Sequence, residues 1–302
     1  MTKVKTPLLS YSADGSIGKE ITYAKTITGT IAKAIPTHPD AKTLPQTYQR
    51  WLYTDAWWAW YALTPAERQT WHTNARPFRL TGWQYWIKKY LIIPTDLVLW
   101  MRLDEPSGAT AYDSSKHGKN ATIYGASPIA GVIDLCRSYD AIDDRLEFPN
   151  DSFNYTQFTV AFWQKTAITG KNVISNYIRA SAGAPEYGWF TTIRPNGRPA
   201  MQINDAAWDP AAGPLVNDNQ LHHIAYTIAT TIVKVFTDGV YVDTWTAPAP
   251  PSYAVSVKSY LGARWEAART GHWSGLQDEV RLYTRILSDD QIKNIAERLY
   301  PS

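Results

Sequence analysis

The 302 residues predict a mainly β protein: an antiparallel jelly-roll sandwich over residues 96–302, preceded by a small ribbon-plus-three-helix domain over residues 1–95. From Asp96 onward, short runs rich in Val, Ile, Tyr, Phe and Trp recur between Gly, Asn, Asp and Pro turns, the spacing of an antiparallel sandwich rather than of alternating helices and strands. Before Asp96 the periodicity is helical, and tryptophan dominates it. The charge shifts at the same place: residues 1–95 hold 12 Lys/Arg against 5 Asp/Glu (+7), residues 96–302 hold 18 against 22 (−4). The N-terminal part is therefore the basic one and suits an acidic surface.

Taken in order, residues 1–18 are polar and read as a mobile arm. Glu20–Ile35 reads as a two-stranded ribbon turning at Thr28-Gly29. The three prolines of Pro36–Pro45 exclude a helix interior and suggest a linker. In Gln46–Leu63 a helical wheel sets Tyr48, Trp51, Trp58 and Ala62 against Tyr53, Trp57, Trp60 and Tyr61, so both faces are apolar. A helix apolar all round is buried all round, and a domain of about ninety residues struggles to cover both faces, so surplus aromatic surface points to a partner. Thr64-Pro65-Ala66-Glu67 is a capping box with proline at the first helical position, opening a helix to about Asn74 with Trp71 inward. A third helix starts at Thr81 or Gly82, with Trp83, Trp86, Ile87 and Tyr90 as its apolar stripe.

In the C-terminal part Leu97–Leu103 reads as a buried first strand, and Thr231–Trp245 as a hairpin folded at Asp238-Gly239. Leu276–Tyr283 alternates with period two, and Ser288-x-x-Gln291 caps a last helix carrying Ile292, Ile295, Ala296 and Leu299.

Several of these runs resemble the laminin-G-like, concanavalin A-like sandwiches. Gly275–Tyr283 followed by Leu287–Ile292 is similar to that family's closing "GxIDEVRIYNRALSDDEI". Tyr139–Pro149, Phe158–Lys165 and Asp218–Ala225 are similar to its "FDGxDDYVxVP", "FTVSAWVK" and "DGQWHHVA" steps. The pattern covers Asp96–Leu299 and implies the fold; because the fold serves sugar binders, adhesion modules and hydrolases alike, function has to come from the site. Some relatives hold a structural Ca²⁺, and Asp113, Asn120 and Asp278 are oxygen donors in the corresponding regions. No other cofactor is implied. The N-terminal order Ser16-Ile17-Gly18, ribbon, Thr43-x-x-Gln46-x-x-Gln49-Arg50, Trp-rich helix, Leu63-Thr64-x-x-Glu67-Arg68-x-x-Trp71 and Thr81-Gly82-x-x-x-Trp86 resembles a small helical module of tailed-bacteriophage virion proteins. The aromatic excess at Trp57, Trp58 and Trp60 departs from it. That resemblance implies docking on a capsid or tail protein, and the surplus aromatic surface of the central helix points to Trp51, Trp57, Trp58, Trp60 and Tyr61 as the docking residues.

Motifs for chemistry are missing. The paired carboxylates that endoglucanases on this fold carry along one strand do not occur at their spacing, and Asp278-Glu279, being adjacent, are expected on opposite faces of a strand. Asp143-Asp144 has the same defect. There is no HExxH, GxSxG, Walker loop or GxGxxG. The single cysteine, Cys136, excludes a disulfide framework, and its apolar neighbours suggest a buried thiol. Of His222 and His223, at least one is expected as a hydrogen-bonded strand residue rather than a ligand. A sugar site needs a flat aromatic beside polar groups; Trp208 with Asn204 and Asp205 suits best, and Trp189 and Trp265 are further candidates. Met1–Ser10 lacks a signal-peptide core and no run suits a membrane span, so a protein made soluble in a cytoplasm is expected.

The reading is a non-enzymatic virion protein, a capsid decoration, head fibre or tail component, that displays the sandwich to glycans as a homo-oligomer on the particle, without nucleic acid or membrane. The alternatives are a carbohydrate-active enzyme drawing on Asp143, Glu147, Glu186 or Glu266 from distant strands, and a structural stabiliser that binds no sugar.

Overall fold

The computed structural model describes residues 2–4, 15–17, 21–26 and 29–34, then 53, 56, 57, 60 and 61, and then 63–90 and 96–298 apart from 116, 133, 211, 254 and 267. Trp51, Trp58 and the proline-rich stretch 36–45 lie outside the described residues. The backbone divides into two compact units, Met1–Thr54 and Asp55–Ser302, whereas the composition shift lies at 95/96.

The first unit is a sheet of four short strands, β1 (Thr2–Val4), β2 (Gly15–Ile17), β3 (Ile21–Thr26) and β4 (Gly29–Ala34), in the order β1-β4-β3-β2. The predicted ribbon is its centre, with Ile21 opposite Ala34 and Thr26 opposite Gly29. The predicted arm is partly strand: Thr2–Val4 pairs with β4 and Gly15–Ile17 with β3. A polar run shows no hydrophobic alternation, yet the two edges of a hairpin offer it unpaired backbone groups.

In the second unit, helices α1 (Pro65–Ala75) and α2 (Gly82–Tyr90) pack on Trp60, and α2 also meets Ala56. The Thr64 hydroxyl accepts from the Glu67 amide, and the Glu67 carboxylate accepts from the Thr64 amide, completing the predicted box. A second box, Thr81 with Gln84, opens α2. Trp60 and Trp86 are buried, with Leu63, Trp71, Trp83 and Ile87 against them. Trp71 meets Trp86 edge-on at 4.8 Å, and the Trp86 indole donates to the Ala56 carbonyl at 3.0 Å. Among the described residues of the predicted central helix, Ala56 and Trp60 are buried, while Trp57 and Tyr61 remain 39% and 54% exposed. The grouping of Trp60 with Trp57 and Tyr61 on one face is corrected, because Trp60 fills the space between α1 and α2.

The sandwich follows. Its strands are β5 (Leu97–Met101), β6 (Thr110–Ala111), β7 (Ala121–Tyr124), β8 (Ser127–Ala130), β9 (Leu135–Asp140), β10 (Arg145–Glu147), β11 (Gln157–Lys165), β12 (Asn172–Arg179), β13 (Glu186–Ile193), β14 (Pro199–Ile203), β15 (Ala206–Ala207), β16 (Leu221–Ala229), β17 (Ile232–Thr237), β18 (Val240–Thr246), β19 (Lys258–Leu261), β20 (Arg264–Glu266), β21 (Ala268–Thr270) and β22 (Ser274–Tyr283). One sheet runs β15-β14-β13-β12-β19-β10-β7-β6, with β20 and β21 attached; the other runs β18-β17-β16-β11-β22-β9-β8, with β5 on β22. Between them lie Phe158, Val160, Phe162, Trp189, Met201, Tyr226, Trp273, Val280 and Leu282. The hairpin at Asp238-Gly239 has both residues left-handed (φ 52° and 78°), as a tight primed turn requires. A Cβ on Gly239 would come within 3.0 Å of the Lys293 backbone in α3 (Asp289–Arg298), so glycine there also admits the helix. Ser288 and Gln291 cap α3 as predicted.

One departure reshapes β22. Trp163 pairs with Asp278 and Ala161 with Arg281, so two residues, Glu279 and Val280, oppose Phe162. Glu279 takes a left-handed conformation (φ 49°), the signature of a bulge. Asp278, Glu279 and Arg281 therefore share the outer face while Val280 and Leu282 point inward. The expectation that Asp278 and Glu279 face opposite ways is corrected: both are buried on the outer face, and the bulge supplies the extra half-turn that strict alternation lacks. Glu279 accepts from the Trp100 indole at 2.6 Å and from Arg281 at 2.9 Å, and Arg102 lies 3.6 Å away. Glu279→Ala should cost about 3 kcal/mol, the loss typical of removing one partner from a buried ion cluster, measured as a lower urea midpoint with an unchanged slope.

Candidate functional site

In the ten-stranded sheet Leu146, Ile174, Leu261, Met201 and Ile203 face the core. By alternation the outer face carries Arg145 and Glu147 from β10, Tyr177 and Arg179 from β12, Glu186 and Phe190 from β13, and Gln202 from β14. The chain leaves β19 at Gly262, and β20 returns alongside β12 in parallel, pairing Trp265 with Ile178 and Glu266 with Arg179. The β20–β21 hairpin thereby brings Arg264 and Glu266 to this face, with Trp265 between them in the strand.

These side chains converge. Arg179 Nη1 donates to Glu266 Oε1 at 2.7 Å and lies 3.3 Å from Glu186 Oε1. Arg264 reaches Glu266 Oε2 through Nη2 at 2.7 Å and Nε at 3.2 Å, with its guanidinium 4.6 Å over the Phe190 ring. Gln202 Nε2 donates to Glu186 Oε2. Burial, with a hydrogen bond to Glu186, raises the Tyr177 phenol. Burial pushes the Glu266 carboxyl up, but the hydrogen bonds and charges of Arg264 and Arg179 outweigh it and hold it below the usual range. Trp265 is half-buried beneath the Lys258 ammonium, 5.6 Å from its ring centre. Further along the same face Arg145 lies 3.9 Å over the half-exposed Tyr124 ring and 3.6 Å from Glu147. Three of the four carboxylates named from sequence, Glu147, Glu186 and Glu266, therefore share one face; Asp143 lies in the β9–β10 loop.

Other sequence candidates fall elsewhere. Trp189 is fully buried against Phe158, and Trp208 is buried and stacked on Trp245 at 6.0 Å. An indole inside the core has no ring face for a sugar, so both are corrected to structural residues. Asn204 is spent on the backbone, accepting from Gly188 and Ser252 and donating to Pro250. Asp205 accepts from the Glu186 amide at 3.1 Å. Of the five glycan candidates, Trp265 lies on β20 between two members of the polar cluster, with Lys258 over its ring, and Asp205 steadies one of the cluster's members. Sequence reasoning passed over Arg179, Arg264 and Tyr177, since nothing local signals that a hairpin 80-odd residues away in sequence meets β12 and β13. Of the docking candidates described, Trp57 and Tyr61 are exposed, whereas Trp60 is buried and is corrected to a core residue.

The Ca²⁺ donors suggested by resemblance do not fit a cation. Asp113 already accepts from the Trp100, Ser115 and Lys119 amides and from the Ser115 hydroxyl, and Asn120 Oδ1 accepts from the Asp113 amide. Asp278 Oδ2 accepts from the Val132 amide across the sheet. Calcium needs six to eight oxygens, and these are committed to the chain. Among the described residues the carboxylates that gather are instead Asp140, Asp143 and Asp144, with ligand atoms within 4.8 Å of one another. Cys136 is buried, and burial pushes its thiol up to about 12.

His222 and His223 lie side by side on β16 with opposite fates. His223 is buried beside Trp163, and burial brings it down to about 3, so it is neutral. His222 is clamped by Asp238 at 2.8 Å and Asp218 at 3.1 Å; the Asp238 hydrogen bond, then the nearby carboxylate charges, hold its pKa above the usual value despite partial burial.

With the fold and this face defined, the protein is of the concanavalin A-like sandwich class. The family described as the concanavalin A-like lectin/glucanases superfamily, of laminin-G type, matches residues 140–293, half of the chain, and the chain belongs to it. Comparison with curated proteins gave no match. Among solved structures, domain 4 of an extracellular arabinanase from Geobacillus stearothermophilus, in complex with arabinotriose, is similar at 17% identity and a TM-score of 0.54, covering 67% of this chain and 98% of that domain. The receptor-binding domain of botulinum neurotoxin mosaic serotype C/D is similar at 14% identity and a TM-score of 0.50, covering 68% of this chain and 51% of the toxin domain. Both likenesses concern the fold. Among the described residues no helix is long and apolar enough to cross a membrane.

Trp208→Ala should cost about 3–5 kcal/mol in urea unfolding, the penalty of a core cavity. For His222 the raised pKa means its stabilisation is full below the unfolded value of 6.5 and is lost as pH rises through the folded value. Melting temperature should therefore fall with rising pH across that window, and His222→Gln should flatten the profile.

Proposed function

We propose that this chain is a non-enzymatic virion protein of a tailed bacteriophage that docks through residues 1–95 and displays its sandwich for adhesion to glycans, as a homo-oligomer on the particle. The glycan site is the outer face of the ten-stranded sheet around Trp265, Arg179, Glu186 and Glu266. The observation that carries the site is the sharing of Arg179 between Glu186 and Glu266. It gathers donors and acceptors on a face that also carries aromatic rings, as saccharide recognition needs, and together with Arg264 it holds the Glu266 carboxyl below its usual range. A glycosidase of the paired-carboxylate kind requires one carboxyl to stay protonated until it reaches the leaving group. An arginine bonded to both acids opposes that, which favours binding over hydrolysis.

Docking is supported by the sequence resemblance of residues 16–86, by the excess of basic residues and by exposed Trp57 and Tyr61 beside Arg68, whose guanidinium lies 5.7 Å over the Tyr61 ring. Aromatic and arginine side chains are the usual anchors of protein interfaces. Repetition on a particle would raise the avidity of weak sugar sites.

On a glycan array the wild type should bind, and Trp265→Ala should lose at least about tenfold in affinity, a loss of one stacked anchor. Binding by neither protein would favour a structural stabiliser, and saccharide turnover abolished by Glu186→Gln would favour a hydrolase. Deleting residues 1–95 should release the sandwich from purified particles; a truncated chain that still co-purifies would refute the docking role.

A further inference from the structure

The charge arrangement around Arg179 narrows the ligand, resting on the saccharide-binding reading of the same face. We infer that the site takes a neutral saccharide, and that Arg179 and Arg264 meet it as hydrogen-bond donors rather than as cations. The site holds Arg179 and Arg264 against Glu186 and Glu266, and the charge of the neighbouring Lys258 acts on the Asp151 carboxylate. Both guanidinia are already neutralised in place: Arg179 by two carboxylates at 2.7 and 3.3 Å, and Arg264 by a two-pronged contact with Glu266 at 2.7 and 3.2 Å. Lys258 is set over the Trp265 ring.

A guanidinium has five N–H donors in a fixed fork, and ion pairing uses only some of them. Arg179 Nη1 carries both carboxylate contacts, and neither of them engages Nη2. Donor capacity is thus retained while the field is cancelled. A hydroxyl-rich neutral ligand loses little by entering such a site. An acidic saccharide would bring a third carboxylate against Glu186 and Glu266, and would have to displace Glu266 from two arginines to gain a charge of its own. Carboxylates placed in this way act as a repulsive element against anionic competitors.

Glu266 is therefore the selectivity residue. Removing its charge while keeping its shape should expose the positive field of Arg179 and Arg264 to the ligand. The test is calorimetric titration of the full-length protein with neutral pentose- and hexose-based oligosaccharides and with their uronate-containing counterparts, at low and high salt.

The wild type should bind a neutral oligosaccharide, with a Kd that moves less than about twofold between the two salts, since no net charge is paired. Arg179→Lys should weaken it about tenfold by losing the fork. Glu266→Gln should shift preference toward the uronate by about tenfold or more, in a salt-sensitive way. Preferential, steeply salt-dependent binding of uronates by the wild type, lost in Trp265→Ala, overturns the neutral assignment and leaves the saccharide site standing. Absence of binding to both classes overturns the saccharide reading itself. The wild-type salt dependence decides the question even where Glu266→Gln proves unfolded by circular dichroism.

Discussion

The bulge at Glu279 is the constraint on which the sandwich depends. β22 pairs with three strands, β11, β5 and β9, and its register fixes which residues those neighbours turn inward. A strand of strict alternation would carry Asp278 into the core together with Val280 and Leu282, and would turn Gln277 outward. The left-handed Glu279 resolves this: Gln277 reaches across to the Val173 carbonyl at 2.9 Å on one side of the bulge, and Val280 and Leu282 enter the apolar core on the other. The carboxylate at the bulge is then held by Trp100 and Arg281, so the residue that bends the strand also ties it to β5.

The two outer faces use their charges differently. Around β22 the ionised groups are buried and paired, and removing one partner costs stability. On the ten-stranded sheet the comparable groups are a quarter exposed or somewhat less, 27% for Arg179, 13% for Glu186 and 26% for Glu266. Partial exposure keeps their desolvation cost modest while leaving them within reach of a ligand. The parallel return of β20 beside β12 creates this arrangement, and the same hairpin lays Arg264 across Phe190 to shield the sheet's aromatic surface.

The helical part shows a parallel economy. Trp60, Trp71, Trp83 and Trp86 interlock edge to face between 4.8 and 6.0 Å and form a small core with few aliphatic residues. With the core built on large rings, Trp57 and Tyr61 stay outside it, and Arg68 joins them by bonding the Tyr61 and Leu63 carbonyls from α1.

By itself the sequence determined the fold class, the helix caps at Thr64 and Ser288, and the primed turn at Asp238-Gly239. Each of these rests on residues within a few positions of one another, where spacing alone dictates the backbone. The strand character of Thr2–Val4 and Gly15–Ile17 was hidden, because their partners rather than their side chains make them strands. The common face of Asp278 and Glu279 was hidden too, since one left-handed residue inverts the alternation on which the inference of opposed carboxylates relied. For the candidate site, Glu186, Glu266 and Trp265 were legible as residue types, but Trp189 and Trp208 had the same local credentials and proved to be core. Only the tertiary structure decided among them, because exposure and convergence depend on which strands lie side by side, and the pairing of β12 with β13, β19 and β20 spans sequence separations that no local pattern records.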